Sequence, residues 1–230
     1  MSPETAERLR SLPIRRAAPR SFSKIALLLM SMTAICTGCA TDDGNEDRVL
    51  RSVACVGDSN TQASNDPTVR VNWCEILAER HPDIDWFNTA IWGATATRAG
   101  FGPWCGFDQV NKALGFKPDL IIIALGTNDL VALDLDAKAL TTALLSLRDQ
   151  AEAGGAKGVV ALIPPVLFAD ADLAERIAET NALLLGSKIA AIDFFDDFDP
   201  QDFTQPDGIH FTQSGHYKRA AAAESVLFAP

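Results

Sequence analysis

The chain has 230 residues, 47% of them hydrophobic and 22% charged, which suits one globular domain with or without an appendage and is too apolar for a disordered chain. Thirty acidic against twenty basic residues give a net charge of −10, and the basic ones crowd at the front: residues 1–38 hold six, so the rest carries 14 basic against 28 acidic. A body this acidic, with no basic stripe, repels a phosphate backbone, so nucleic acid is not an expected partner.

The first element in chain order is an export segment. After the basic stretch up to Lys24, Ile25 to Cys36 forms a run of about 12 mostly apolar residues, short of the ~20 that a membrane-spanning helix needs. Small residues then lead into Thr37-Gly38-Cys39-Ala40. This resembles the lipobox of bacterial lipoproteins, whose Cys is acylated and becomes the mature N-terminus, although Cys36 stands where Leu is usual. The expectation is a signal over 1–38, lipid on Cys39, a polar linker over 39–48 and a domain over 49–230, exported and facing the periplasm or cell surface. A plain secretory signal cut near Ala40 is the alternative.

Beyond the linker, strand and helix patterns alternate. Val49 to Gly57 reads as a strand, Val71 to Arg80 as a helix and Ile84 to Asn88 as a second strand. Leu120 to Leu125 is six consecutive apolar residues closed by Gly126, as in a parallel strand covered on both faces. Ala137 to Ala153 follows as a helix stopped by Gly154-Gly155. Gly158 to Ile163 is a strand ended by Pro164-Pro165, Ala171 to Leu185 a helix, Ile189 to Phe194 a fifth strand and Ser214 to Leu227 a closing helix. The pattern predicts an α/β fold: about five parallel strands with helices on both faces. Trp92, Phe101, Trp104 and Phe107 fall in a long insertion, where they line a pocket or pack the core.

Cysteine use fits export. Cys55, inside the first strand, reads as a buried free thiol that behaves as a small hydrophobe. Cys74 and Cys105, each beside a tryptophan, are then the candidate disulfide of an oxidising compartment. Neither of these two belongs to a CxxC or HxxxH spacing, so no metal site is expected there.

In a doubly wound sheet, reactive groups gather where strands end at their carboxyl edge. There stand Gly57-Asp58-Ser59-Asn60-Thr61, Asn88 to Gly93, Gly126-Thr127-Asn128-Asp129 and, before the last helix, Asp207-Gly208-Ile209-His210. A serine hydroxyl needs a base within hydrogen-bond reach and a third group to orient that base. Ser59, His210 and Asp207 supply the three, and the separation of Asp207 from His210 lets one loop hold both. Acyl transfer also needs donors for the developing oxyanion. The backbone N–H groups of Gly93 and Ser59 and the side-chain amide of Asn128 are the candidates. Taken singly, Gly57 and Gly93 read equally well as turn glycines, Asn128 as a helix N-cap and Asp207-Gly208 as a β-turn. His81 reads as a surface-loop residue and His216 as structural or solvent-facing. The G-x-S-x-G elbow of α/β-hydrolases is absent.

These four blocks resemble those of the SGNH, or GDSL-type, esterase and lipase superfamily. Ser59 matches its nucleophile, Gly93 and Asn128 its second- and third-block oxyanion donors, and Asp207 with His210 its final D-x-x-H; Asn60 stands where the eponymous motif has Leu. The resemblance spans residues 49–230. It implies a three-layer, flavodoxin-like α/β/α sandwich that needs no metal or cofactor. It also implies hydrolysis of carboxylic esters, such as O-acetyl or lipid acyl groups, in small-molecule, lipid or saccharide substrates. An acyltransferase on the same fold and a catalytically silent carbohydrate-binding envelope protein are the other classes of function.

Overall fold

The computed structural model describes residues 50–62, 68–97 and 105–229, all within the unit Asp47–Pro230. The expected signal, lipidation site and linker lie outside the described residues.

Five strands, β1 (Ser52–Gly57), β2 (Asp85–Asn88), β3 (Leu120–Ala124), β4 (Lys157–Ala161) and β5 (Ala191–Ile192), form one parallel sheet in the order β2-β1-β3-β4-β5. Among the described residues, α1 (Trp73–Arg80), α2 (Gly106–Leu114), α3 (Thr127–Val131), α4 (Ala137–Ala153) and α5 (Ala171–Gly186) connect them, and α6 (Gln213–Leu227) follows β5. This is the flavodoxin-like winding, whose strand order reverses beside β1.

The alternation of side chains along each strand divides the core in two. Val53, Cys55, Leu120, Ile122, Val159 and Ala161 pack against Trp73, Leu77, Ala220 and Ala223 of α1 and α6. Ala54, Val56, Ile121, Ile123 and Val160 pack against Val110, Leu140, Leu144 and Ile177 of α2, α4 and α5. Ile121, Ile122 and Ile123 are all fully buried, and burial of each such side chain contributes about 1.5–3 kcal/mol.

Local sequence explains the helix starts. Asn72 and Glu75 make a reciprocal capping box at α1: Asn72 Oδ1 accepts from the N–H groups of Cys74 and Glu75 at 2.9 and 3.0 Å, and Glu75 Oε2 accepts from Asn72 N–H at 2.9 Å. Asp136 and Asp170 cap α4 and α5 without a reciprocal partner, each side chain accepting one N–H, from Ala139 and Leu173.

Two helices were not anticipated. α2 lies in the insertion after the second block, where Gly106, Gln109, Val110 and Ala113 form its buried face. It is the crossover that carries the chain from the edge strand β2 past β1 to β3. α3 is a five-residue helix opened by Thr127 and Asn128. β5 is also shorter than Ile189 to Phe194, because only Ala191 and Ile192 pair with β4.

The expected Cys74–Cys105 bridge is not formed; Cys74 is bonded to Cys55, with Cα atoms 6.6 Å apart. Cys55 shares the β1 face of Val53, which looks onto α1, where Cys74 sits. Cys105 heads α2, which packs on the opposite face of the sheet, so the sheet separates it from Cys74. It is a buried free thiol, and its Sγ donates to Asp108 Oδ2 at 3.4 Å. The bridge joins residues 19 apart and closes a loop containing the turn after β1. Closing a loop of that length stabilises a fold by about 3 kcal/mol on the chain-entropy account.

Candidate active site

At the carboxyl edge of β1 the chain turns through Asp58 to Gln62. The N–H groups of Thr61 and Gln62 donate to the Asp58 carbonyl at 3.0 and 2.9 Å, and Asn60 N–H donates to Asp58 Oδ1 at 2.9 Å. The Thr61 side chain occupies the space into which a Cβ at position 57 would project, so only glycine lets the turn close there. Asp58 and Asn60 are buried while Ser59 between them is partly exposed.

Side chains of two other segments pin this turn, and two of its own side chains reach backbone groups elsewhere. Asn88 Nδ2 donates to the Thr61 carbonyl at 2.7 Å and Trp73 Nε1 to Thr61 Oγ1 at 3.3 Å. Asn60 Nδ2 donates to the Ile209 carbonyl at 3.2 Å, and Gln62 Oε1 accepts from Trp92 N–H.

The loop Thr204 to His210 precedes α6 and is organised by Asp207. Asp207 Oδ1 accepts from the N–H groups of Ile209 and His210 at 2.9 and 3.0 Å and from the Thr204 hydroxyl at 3.0 Å. Oδ2 lies 2.9 Å from His210 Nδ1, and His210 Nε2 lies 2.8 Å from Ser59 Oγ. A carboxylate can only accept, so Nδ1 carries the proton and Nε2 is free to accept from the serine. Desolvation opposes the charge on Asp207, but these hydrogen bonds outweigh it and hold the carboxyl below the usual carboxylate range.

On the other side of the serine, Gly93 has φ +73°, in the left-handed region that favours glycine. Asn128 Nδ2 donates to the Ala94 carbonyl at 2.9 Å. An amide carries two hydrogens, so one fixes Asn128 in place and the other remains for the cleft that this residue lines. Ser59, Gly93, Asn128 and His210 share that cleft, of about 210 Å³, with Trp92, Thr95, Ala132 and Ile209. The sequence-derived set Ser59, Asp207, His210, Gly93 and Asn128 is thus brought together on one sheet edge.

Asp129, quoted in the third block without a role, is fully buried and holds the segment after Gly93. Its Oδ2 accepts from Ala96 N–H at 2.8 Å, and Oδ1 accepts from Thr97 N–H and the Thr97 hydroxyl at 3.0 and 2.8 Å. Burial raises its pKa, and these bonds only partly offset the effect. Asn60 and Gln62 were missed likewise, because a hydrogen bond across tens of residues leaves no local pattern, whereas Thr204 was missed although its partner Asp207 is only three residues away.

The remaining residues fall outside these contacts. His81 lies in the loop after α1, as its C-cap, partly exposed, where it stacks on Phe228 at 4.0 Å and meets Glu224 Oε1 at 3.0 Å. His216 is 2% exposed, and burial pulls its pKa down to about 3, so it is neutral at working pH. Trp92 is 64% exposed at the cleft, Phe107 sits on α2, and Phe101 and Trp104 lie outside the described residues. Among the described residues, no three His, Cys, Asp or Glu gather to hold a metal ion, and no helix is long and apolar enough to cross a membrane.

Residues 55–218 match the family model of the GDSL-like lipase/acylhydrolase family. No curated protein matches the chain. Among solved structures, TesA is 25% identical, with a TM-score of 0.63 over 77% of this chain and 98% of that one. A carbohydrate esterase family 3 protein from Talaromyces cellulolyticus is 16% identical, with a TM-score of 0.63 over 78% and 97%. The psychrotrophic esterase EstA from Pseudoalteromonas sp. is 17% identical, with a TM-score of 0.57 over 77% and 97%. At those identities the last two show a shared fold.

Proposed function

Because this chain belongs to the GDSL-like lipase/acylhydrolase family and is accordingly a carboxylic ester hydrolase, we propose that it works through an acyl-enzyme on Ser59. The observation that carries the reading is the continuous contact from Asp207 through His210 to Ser59 at 2.9 and 2.8 Å, opening onto a cleft that also holds Gly93 and Asn128. His210 Nε2 takes the Ser59 proton as Oγ attacks the ester carbonyl, and Asp207 stabilises the imidazolium through Nδ1–H. The carbonyl oxygen, now negative, receives the N–H groups of Ser59 and Gly93 and the Asn128 amide. His210 then protonates the leaving alkoxide, and water, activated by the same imidazole, hydrolyses the acyl-Ser59 ester.

None of the cleft residues outside this set carries a charge, which favours an uncharged acyl group. Its volume of about 210 Å³ exceeds the ~150 Å³ that holds benzene, so short and medium acyl chains or an aryl group fit best. The test is hydrolysis of a C2 to C16 chromogenic ester series and of acetylated sugars by the purified protein. Asn128→Ala is expected to lower kcat by about 100-fold or more with a smaller change in KM. A change in KM alone would make Asn128 a ground-state binding group, and an absence of all ester hydrolysis would leave the protein a binding module.

We further propose that the enzyme is exported and anchored by lipid on Cys39. The apolar run before Thr37-Gly38-Cys39 supports this, as does the Cys55–Cys74 disulfide, which suits an oxidising compartment. Cys39→Ser is expected to move the protein from the membrane to the soluble fraction; sedimentation with membranes in that variant refutes the anchor.

A further inference from the structure

α6 carries a cation into the core. Gly215, His216, Arg219, Ala220 and Ala223 form its buried stripe, and Arg219 is 2% exposed. Its guanidinium carbon lies 4.2 Å from the Phe194 ring centroid, 5.0 Å from that of Phe211 and 5.6 Å from that of Trp73. Such a cage offers cation–π attraction and fixes the plane of the group. One hydrogen bond leaves the cage: Arg219 Nη1 donates to the Asn60 carbonyl at 2.9 Å. Arg219, Asn60 and Asp58 also line a small chamber of about 10 Å³, roughly the room of one water. Asp58 and Arg219 interact electrostatically across it.

We propose that Arg219 is a positioning residue for the nucleophile turn, acting through the Asn60 carbonyl. Asn60 follows Ser59, and its side chain reaches the Ile209 carbonyl in the loop that holds His210. Arg219 therefore holds the backbone of the residue directly after the nucleophile, the same residue whose side chain braces the loop of the base. The Asp58 carboxylate favours the charged guanidinium, although burial raises Asp58's own pKa. Although burial pulls its pKa down to about 9, Arg219 remains cationic at neutral pH. The inference rests on the acyl-Ser59 reading.

The experiment compares wild type, Arg219→Lys, Arg219→Met and the double variant Asp58→Asn/Arg219→Met. For each, the rate of fluorophosphonate labelling at Ser59, kcat and KM on a chromogenic ester, and the melting temperature are measured. Arg219→Met is expected to lower kcat and the labelling rate together by about 10- to 100-fold, the size of effect that small misplacements of reacting groups produce, with KM changed less than about twofold. Lysine keeps a donor for the Asn60 carbonyl and is expected to retain more of kcat than methionine. Where a lone buried Asp58 unfolds Arg219→Met, the double variant removes that charge; it is expected to fold, yet to keep the low kcat and slow labelling. Wild-type kcat and labelling in either folded methionine variant overturn the positioning role and leave the Ser59 reading intact. A wild-type protein that neither labels nor hydrolyses overturns the Ser59 reading, and this inference falls with it.

Discussion

Ser59→Ala is expected to abolish fluorophosphonate labelling and to lower kcat by about 10⁶-fold, the cost of removing the nucleophile in a serine hydrolase. The size follows from its position: Ser59 Oγ is the group that meets His210 Nε2, and any activity left comes from oxyanion donors acting on water. The fold should survive, because the Ser59 side chain is partly exposed and its one hydrogen bond among the described residues is to the His210 imidazole. Mass analysis after labelling, beside a thermal melt, checks both halves. Labelling that persists in a folded Ser59→Ala protein removes the nucleophile assignment.

His210→Ala is expected to cost nearly as much, and the Ser59→Ala/His210→Ala pair no more than either alone, because the two act as one unit. Asp207→Ala is expected to cost about 10⁴-fold, since the carboxylate orients and stabilises the imidazole without accepting the serine proton. Part of that loss has a separate origin, because Asp207 Oδ1 also holds the N–H groups of Ile209 and His210. Asp207 is held below the usual carboxylate range, so its carboxylate stays ionised and keeps accepting from His210 Nδ1–H well into acid pH, and activity lost in mildly acid solution is not expected to come from Asp207. Steady-state kinetics across pH decide this; an Asp207→Ala variant slower than His210→Ala would reverse the roles.

The two-layer pattern of helices on a parallel sheet was legible because a strand covered on both faces must be apolar throughout, as Leu120 to Ala124 is, and because helices covering it must carry apolar stripes. The site was legible for a related reason. Small polar residues directly after such strands have only the carboxyl edge to occupy, and a serine, a histidine and a carboxylate there have few other chemistries in common. α2 was missed because it lies among turn-like residues, although Val110, Ala113 and Leu114 carry its period.

What the order of residues determined by itself was therefore the alternation of elements, the edge on which the reactive groups meet and the chemical role each could take. The tertiary structure alone decided which groups touch. Period-two alternation puts Cys55 opposite its neighbours in β1, but which helix meets that face depends on the winding of the whole sheet, and it placed Cys74 there with Cys105 beyond the sheet. The same holds for Arg219 on Asn60, 159 residues away, and for Asp129 on Ala96 and Thr97. A buried polar group must find a partner, but sequence states only that requirement, and the packing of distant elements selects the partner that meets it.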